Sequence, residues 1–232
     1  MILYIYEHCP YCVKARMIFG LKKQKIKIKT LLNDDEKTPH SMIGAKMVPI
    51  LEYESGQFMP ESLDIINFID KKYPPQQVQS TESSKLLNWI NKNNLLCYSL
   101  AMPRWVQAPL EEFSTSSAKT YFENKKTAYI GSFKKRLDDS SLLIEQMEKE
   151  LESLENVLKE ESLFFEEKIS LNDFHLFAFL RSLSIVKDLS FPEKTLSYMK
   201  NLSKVCQILF SHPNLLISYC IKSICLKKFI LT

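Results

Sequence analysis

Ile2-Leu3-Tyr4-Ile5-Tyr6 runs through Glu7-His8-Cys9-Pro10-Tyr11-Cys12 into Val13-Lys14-Ala15-Arg16-Met17-Ile18-Phe19-Gly20-Leu21. An apolar run, a tight turn and a segment with Ala15, Ile18 and Phe19 on one side predict strand, turn and helix. The two cysteines then stand three apart where the helix begins. There, unpaired backbone N–H groups and the positive end of the helix dipole favour a thiolate over a thiol. An ordinary cysteine has a pKa near ~8.5. A helix N-terminus and a Cys-X-X-Cys partner lower it by up to several units, each equivalent to about 1.4 kcal/mol in favour of the anion. Pro10 suits the first helical turn because it has no N–H to place. This is the chemistry of thiol–disulfide exchange, with Cys9 as the nucleophile and Cys12, deeper in the helix, as its more shielded partner.

Outward from this stretch, residues 1–73 alternate between strand and helix signals. Ile26, Ile28 and Thr30 alternate with lysines and predict a half-buried second strand. A polar break over 33–36 precedes a short helix around Ser41–Gly44. Val48-Pro49-Ile50-Leu51-Glu52-Tyr53 reads as a third strand opened by a proline, tolerated at a strand start because no donor is needed there. Ser55-Gly56 is a turn, Phe58-Met59 a brief fourth strand, and Pro60-Glu61-Ser62 the start of a helix running to Tyr73, with Ser62 able to cap it.

Residues 74–84 hold two prolines and little apolar content, and read as a linker. Beyond it, helical periodicity takes over. Leu86 to Leu96 predict a helix ending near Met102-Pro103. Leu143, Met147, Leu151, Leu154 and Leu158 form a stripe of barely two heptads, which suits a bundle helix better than a coiled coil. Ser170 and Asp173 have capping-box spacing, with Ile169 and Phe174 placed as a hydrophobic staple before a strongly apolar helix. The expected class is α/β plus all-α: a unit over 1–73, a linker over 74–84 and a helical unit over 85–232.

Composition narrows the function. The 232 residues are 45% hydrophobic and 25% charged, ordinary values for a soluble globular protein. A net charge of +4 is too weak to argue for nucleic acid. Four glycines, at 20, 44, 56 and 131, leave nothing from which to build a phosphate loop or dinucleotide fingerprint. No apolar run approaches the ~20 residues that cross a bilayer, and no secretory leader is visible, so the expected setting is the reducing cytoplasm without stable membrane insertion. Cys97, Cys206, Cys220 and Cys225 are scattered rather than patterned as a disulfide framework, and Cys97 and Cys206 suit buried small hydrophobes. Structural zinc needs four ligands, while His40, His175 and His212 are isolated, so no metal is expected.

The motifs together resemble the large, two-domain bacterial glutaredoxins of the glutaredoxin 2 family. The likeness is carried by His8-Cys9-Pro10-Tyr11-Cys12, Lys14 through Lys22, Leu31-Leu32-Asn33-Asp34-Asp35, Val48-Pro49-Ile50-Leu51 and Met59 through Ile65. Glu112-Phe113-Ser114-Thr115 and the Ser170–Asp173 cap extend it into the helical half, so that it covers roughly residues 1–210. The resemblance implies a thioredoxin-like domain followed by a helical bundle, as in glutathione transferases, with glutathione in the cleft at their junction. It implies a cis Pro49, with the backbone of Val48 turned to the cysteinyl part of glutathione. Cys9, Pro10 and Tyr11 would lie along the bound peptide. Ser62 would meet its γ-glutamyl carboxylate and Glu61 its ammonium. Lys22, Lys23 and Lys37 are candidates for its glycine carboxylate. His8 either favours the thiolate when protonated or is a plain loop residue.

The resemblance implies a monomeric glutathione-dependent oxidoreductase acting on protein disulfides and protein–glutathione mixed disulfides. A glutathione-conjugating transferase or a non-catalytic glutathione-binding module is the competing reading. Conjugation activates glutathione's own sulfur, which would leave Cys12 superfluous. A segment over 213–232, with Leu215-Leu216-Ile217, several lysines, Cys220 and Cys225, extends past the usual family end. It reads as a terminal helix docked on the bundle, with a contact to anionic membrane surfaces as the alternative.

Overall fold

Leu3, Tyr4 and Ile5 are all buried, which puts β1 (Ile2–Ile5) at the centre of its sheet rather than at an edge. In the computed structural model, which describes residues 1–160 and 169–211, β1 pairs in parallel with β2 (Lys27–Thr30) and antiparallel with β3 (Ile50–Glu54). β4 (Gln57–Met59) completes the order β2-β1-β3-β4. α1 (Pro10–Leu21) and α3 (Ser62–Lys72) pack on each other, and α2 (Lys37–Ile43) touches β4. This is the thioredoxin-like arrangement.

Three local expectations are corrected. β2 is not half-buried: it is an edge strand bonded only to β1, and Ile28 remains 39% exposed. α2 begins at Lys37 rather than near Ser41, because the Asp35 carboxylate accepts the Thr38 N–H at 2.9 Å and supplies an early cap. Ser62 is the first helical residue of α3 and not its cap. Glu61 takes that place, with a backbone φ of +67° that non-glycine residues rarely adopt.

The helical half is built around α4 (Ser84–Trp105), which packs against α5 (Ser116–Ile130), α6 (Phe133–Asp138), α7 (Ser140–Glu160) and α8 (Leu171–Leu183). Pro103 does not end α4. It withdraws one N–H from the ladder, but the helix continues to Trp105, and the Arg104 guanidinium donates to the Leu100 carbonyl at 2.7 Å. The α7 stripe of Leu143, Met147, Leu151, Leu154 and Leu158 is buried in the bundle. Ser170 opens α8 as expected, its backbone N–H donating to Asp173 at 2.7 Å.

The halves share one hydrophobic core, because α1 packs on α8 and on α9 (Glu193–Cys206) as well as on α3. Gly20 is required at that crossing: a Cβ there would lie 1.7 Å from the Cys206 carbonyl oxygen. The segment between α3 and α4 is held rather than loose. Buried Asp70 accepts from the backbone of Gln77 and Val78 and pairs with Lys22 at 2.6 Å. β5 (Val78–Gln79) then pairs with β6 (Ile169–Ser170). Among the described residues, no helix is long and apolar enough to cross a membrane. The expected terminal helix, with Cys220 and Cys225, lies outside the described residues.

Candidate functional site

Cys9 occupies the cap position of α1, with φ −70° and ψ 121°, and Pro10 is the first helical residue. The Cys9 carbonyl accepts the Val13 N–H at 3.0 Å, locking the turn onto the helix. Cys9 is 9% exposed and Cys12 fully buried, and both are free thiols. The helix start separates them electrostatically. The Cys12 thiol donates to Cys9 and, against the cost of burial, holds its pKa below the ordinary cysteine value; the N–H groups of Cys12 and Tyr11 and the charge of Lys14 add to the effect. Burial, with an anionic Cys9 beside it, drives Cys12 the other way. Burial also raises Cys97, and pushes Cys206 up to about 12. Of the four described cysteines, only Cys9 is poised to ionise.

The thiol opens onto a cleft of about 600 Å³ between the two halves. Six of the other residues singled out in the sequence, Pro10, Tyr11, Val48, Pro49, Glu61 and Ser62, line it together with Cys9, and Cys12 lies beneath. The Val48–Pro49 peptide is cis. The opposite wall comes from the helical half: Tyr98 and Trp105 of α4, then Tyr121, Phe122, Lys125 and Lys126 of α5. Lys22, Lys23 and Lys37 are not in the lining. Lys22 is committed to Asp70 and to the Pro75 carbonyl. The cations of the cleft are instead Lys46, Lys125 and Lys126, with Lys46 and Lys125 each under 5 Å from the centre of the Tyr121 ring.

His8 is no plain loop residue. It is buried, its ring Nδ1 lies 2.7 Å from the Glu112 carboxylate, and its backbone N–H donates to the same oxygen at 3.0 Å. Tyr6, Trp105, Phe113 and Phe122 surround the ring at centroid distances of 4.9–5.7 Å. Burial alone would raise the Glu112 carboxyl; the contacts to His8 outweigh it and bring the pKa down. The second oxygen, Oε2, is buried without a hydrogen-bond partner among the described residues. Glu112 therefore grips the residue before Cys9 from the helical half.

Lys14, one turn into α1, is only 6% exposed. Its ammonium lies 4.7 Å from the centre of the Tyr11 ring and 3.4 Å from His175 Nδ1 of α8, while His175 Nε2 lies 2.9 Å from the Glu82 carboxylate. Burial pulls the Lys14 pKa down to about 8 despite the opposing charges of Cys9, Glu82 and Glu61. Holding such a lysine charged at neutral pH costs roughly 3 kcal/mol. Neither grouping was marked in the sequence beyond its helix or motif, because the partners stand 104 and 161 positions apart.

Residues 85–212 match the family model described as glutaredoxin 2, C-terminal domain, and residues 3–77 match that of the glutathione S-transferase N-terminal domain. Glutaredoxin 2 of Escherichia coli strain K12 is 39% identical over 208 residues, spanning 90% of this chain and 96% of that protein. The crystal structure of glutaredoxin 2 from Salmonella typhimurium in complex with glutathione superposes with a TM-score of 0.82 at 38% identity, covering 90% of this chain and 95% of that one. A glutathione transferase of Phanerochaete chrysosporium shares the fold, with a TM-score of 0.67 at 13% identity over 88% of this chain and 96% of its own.

Proposed function

The chain belongs to the glutaredoxin 2 family and is a glutathione-dependent oxidoreductase, and we propose that it reduces protein–glutathione mixed disulfides and protein disulfides through Cys9 and Cys12. The observation that carries this reading is the opposed behaviour of two adjacent thiols. Cys9 favours its anion at the edge of the cleft, while Cys12 keeps its proton below it. The Salmonella relative with glutathione bound supports the same cleft as the glutathione site.

With a glutathionylated protein, the Cys9 thiolate attacks the glutathione sulfur. A Cys9–glutathione disulfide forms and the protein leaves as a thiolate. A second glutathione thiolate then attacks the glutathione sulfur of that adduct, releasing glutathione disulfide and regenerating the Cys9 anion. With a protein disulfide, Cys9 attacks one sulfur to form a mixed disulfide, and the protein S–S bond breaks so that the other sulfur leaves as a thiolate, which takes up the Cys12 proton. Cys12 loses its proton and attacks Cys9, releasing the reduced protein and leaving a Cys9–Cys12 disulfide, which two glutathiones reduce.

Residues along the cleft fit a tripeptide of this chemistry. The Val48 backbone is assigned to the cysteinyl part. Ser62, at the N-terminus of α3, is assigned to the γ-glutamyl carboxylate, where free N–H groups and the dipole favour an anion, and Glu61 to the neighbouring ammonium. Lys46, Lys125 and Lys126 supply cations for the glycine carboxylate in place of Lys22, Lys23 and Lys37. The reducing cytoplasm and a monomeric state are the setting we assign to it.

Deglutathionylation kinetics test this reading. Cys9→Ser should lose all turnover, and Cys12→Ser should keep turnover of glutathione mixed disulfides while failing on intramolecular protein disulfides. Strong conjugation of an aryl halide with no reduction of a glutathione mixed disulfide would make the protein a transferase instead.

A further inference from the structure

We propose that the helical half tunes the reactivity of Cys9 through a relay of Glu82, His175 and Lys14, in which His175 is a positioning residue that holds the Lys14 ammonium where it favours the thiolate. The inference rests on the function proposed above and extends it to the control of the nucleophile.

Three segments meet in the relay: Lys14 on α1, Glu82 just before α4, and His175 on α8. His175 Nε2 faces the Glu82 carboxylate at 2.9 Å, and a carboxylate only accepts, so Nε2 carries the ring proton. That leaves the Nδ1 lone pair toward Lys14 Nζ at 3.4 Å, the one hydrogen-bond acceptor shown for this ammonium among the described residues. No carboxylate lies within ion-pair distance of Lys14 there.

Five groups act on its charge: Cys9 and Tyr11 from its own helix and turn, Glu61 from the start of α3, Glu82 from the connecting segment and His175 from α8. Burial and the neighbouring ammonium both pull the His175 pKa below its usual value, so the ring stays neutral and continues to accept. Of these groups, Cys9 is the one that gains negative charge in the proposed reaction. A buried lysine held by a neutral acceptor, one turn along the helix from Cys9 and favouring its anion, has the design of a carboxylate–histidine pair that orients a third group. Here the third group is a cation and the beneficiary a sulfur.

The test is the pH dependence of Cys9 alkylation in the reduced full-length protein, followed by mass spectrometry of the modified peptide. His175→Leu should move the midpoint up by about one pH unit, a roughly tenfold loss of thiolate below it. Lys14→Met should move it by a similar amount, and the double variant no further than the larger single effect. His175→Asn, which keeps an acceptor near the Nδ1 position, should restore most of the shift. A wild-type midpoint in His175→Leu, or shifts that add in the double variant, overturns the relay. Nitrogen NMR of wild-type His175 needs no variant: the relay requires the proton on Nε2 at neutral pH, and a proton on Nδ1 overturns it. A wild-type Cys9 midpoint at the ordinary cysteine value would instead sink the proposed function, so the two failures are distinguishable.

Discussion

At Glu7 the boundary between the sheet half and the helical half holds a buried arginine paired with a carboxylate, whereas at Lys14 it holds a buried lysine with no carboxylate partner among the described residues. Arg181 of α8 donates from Nη2 to the Glu7 carboxylate at 2.5 Å, from Nη1 to the Glu7 carbonyl at 3.0 Å and from Nε to the Leu209 carbonyl at 2.8 Å. The second carboxylate oxygen of Glu7 takes Arg16 at 2.6 Å. Burial brings the Arg181 pKa down to about 10, which still leaves a cation at neutral pH. Lys14 has a histidine nitrogen and an aromatic face. A charge met by a carboxylate and two backbone carbonyls binds two elements together. A charge left short of partners costs stability and is available to a neighbour that becomes anionic, here Cys9. Both residues are buried in the same boundary, so burial alone does not distinguish a structural charge from a functional one.

The comparison is broken most severely at the thiol itself. Cys9→Ser should abolish turnover without loosening the Glu7–Arg181 clamp, so its urea unfolding midpoint should stay near that of the wild type. Next in size is Arg181→Met. Removing the guanidinium deletes its three hydrogen bonds and leaves Glu7 to Arg16 alone, and the expected loss is about 1–3 kcal/mol in urea unfolding. An Arg181→Met protein as stable as the wild type would remove the distinction between the two charges.

Lys14→Met sharpens the comparison, because the sign reverses. Replacing an under-compensated buried cation by an apolar chain of similar length should stabilise the protein by roughly 1–3 kcal/mol at pH 7 while making Cys9 less reactive. The folded-state pKa of about 8 is below the unfolded value, so the penalty is complete below pH 8 and fades as pH rises through the window up to ~10.4. Wild-type stability should therefore gain on Lys14→Met over that window, as measured by paired urea unfolding at pH 7 and above pH 10. The smallest effect belongs to Glu36, whose contacts with Tyr121 and Lys125 are on the exposed surface. Glu36→Ala should leave the melting temperature unchanged within error.

Much of the site was legible in the sequence because it is local. The turn from Tyr6 to Cys12 sets cap, first helical proline and both thiols within one short stretch, and the Ser170–Asp173 spacing likewise needs only four residues. Val48, Pro49, Glu61 and Ser62 came through family likeness rather than spacing, and they line the same cleft as Cys9. What stayed hidden is long-range. No periodicity links His8 to Glu112, or Lys14 to His175, since each pair meets only when the helical half folds onto α1. The candidate lysines lie off the cleft for the same reason: Lys22 is paired with Asp70 of α3, and the cations lining the cleft come from α5 and from Lys46. Pro103 marked the end of α4 to within two residues, the helix running on to Trp105. Ile28 misled because alternation does not reveal that a strand lies at the edge of its sheet.

The claim on which the rest stands is that one sulfur, at the start of α1, is an anion at neutral pH while its neighbour three residues on is not. Titrating the ultraviolet absorbance of thiolate in the reduced wild-type protein and in Cys9→Ser measures it directly. The expected result is a transition well below pH ~8.5 that disappears in Cys9→Ser, with Cys12, Cys97 and Cys206 keeping their protons in that range. A transition that persists in Cys9→Ser, or that first appears at the ordinary cysteine value, would contradict it.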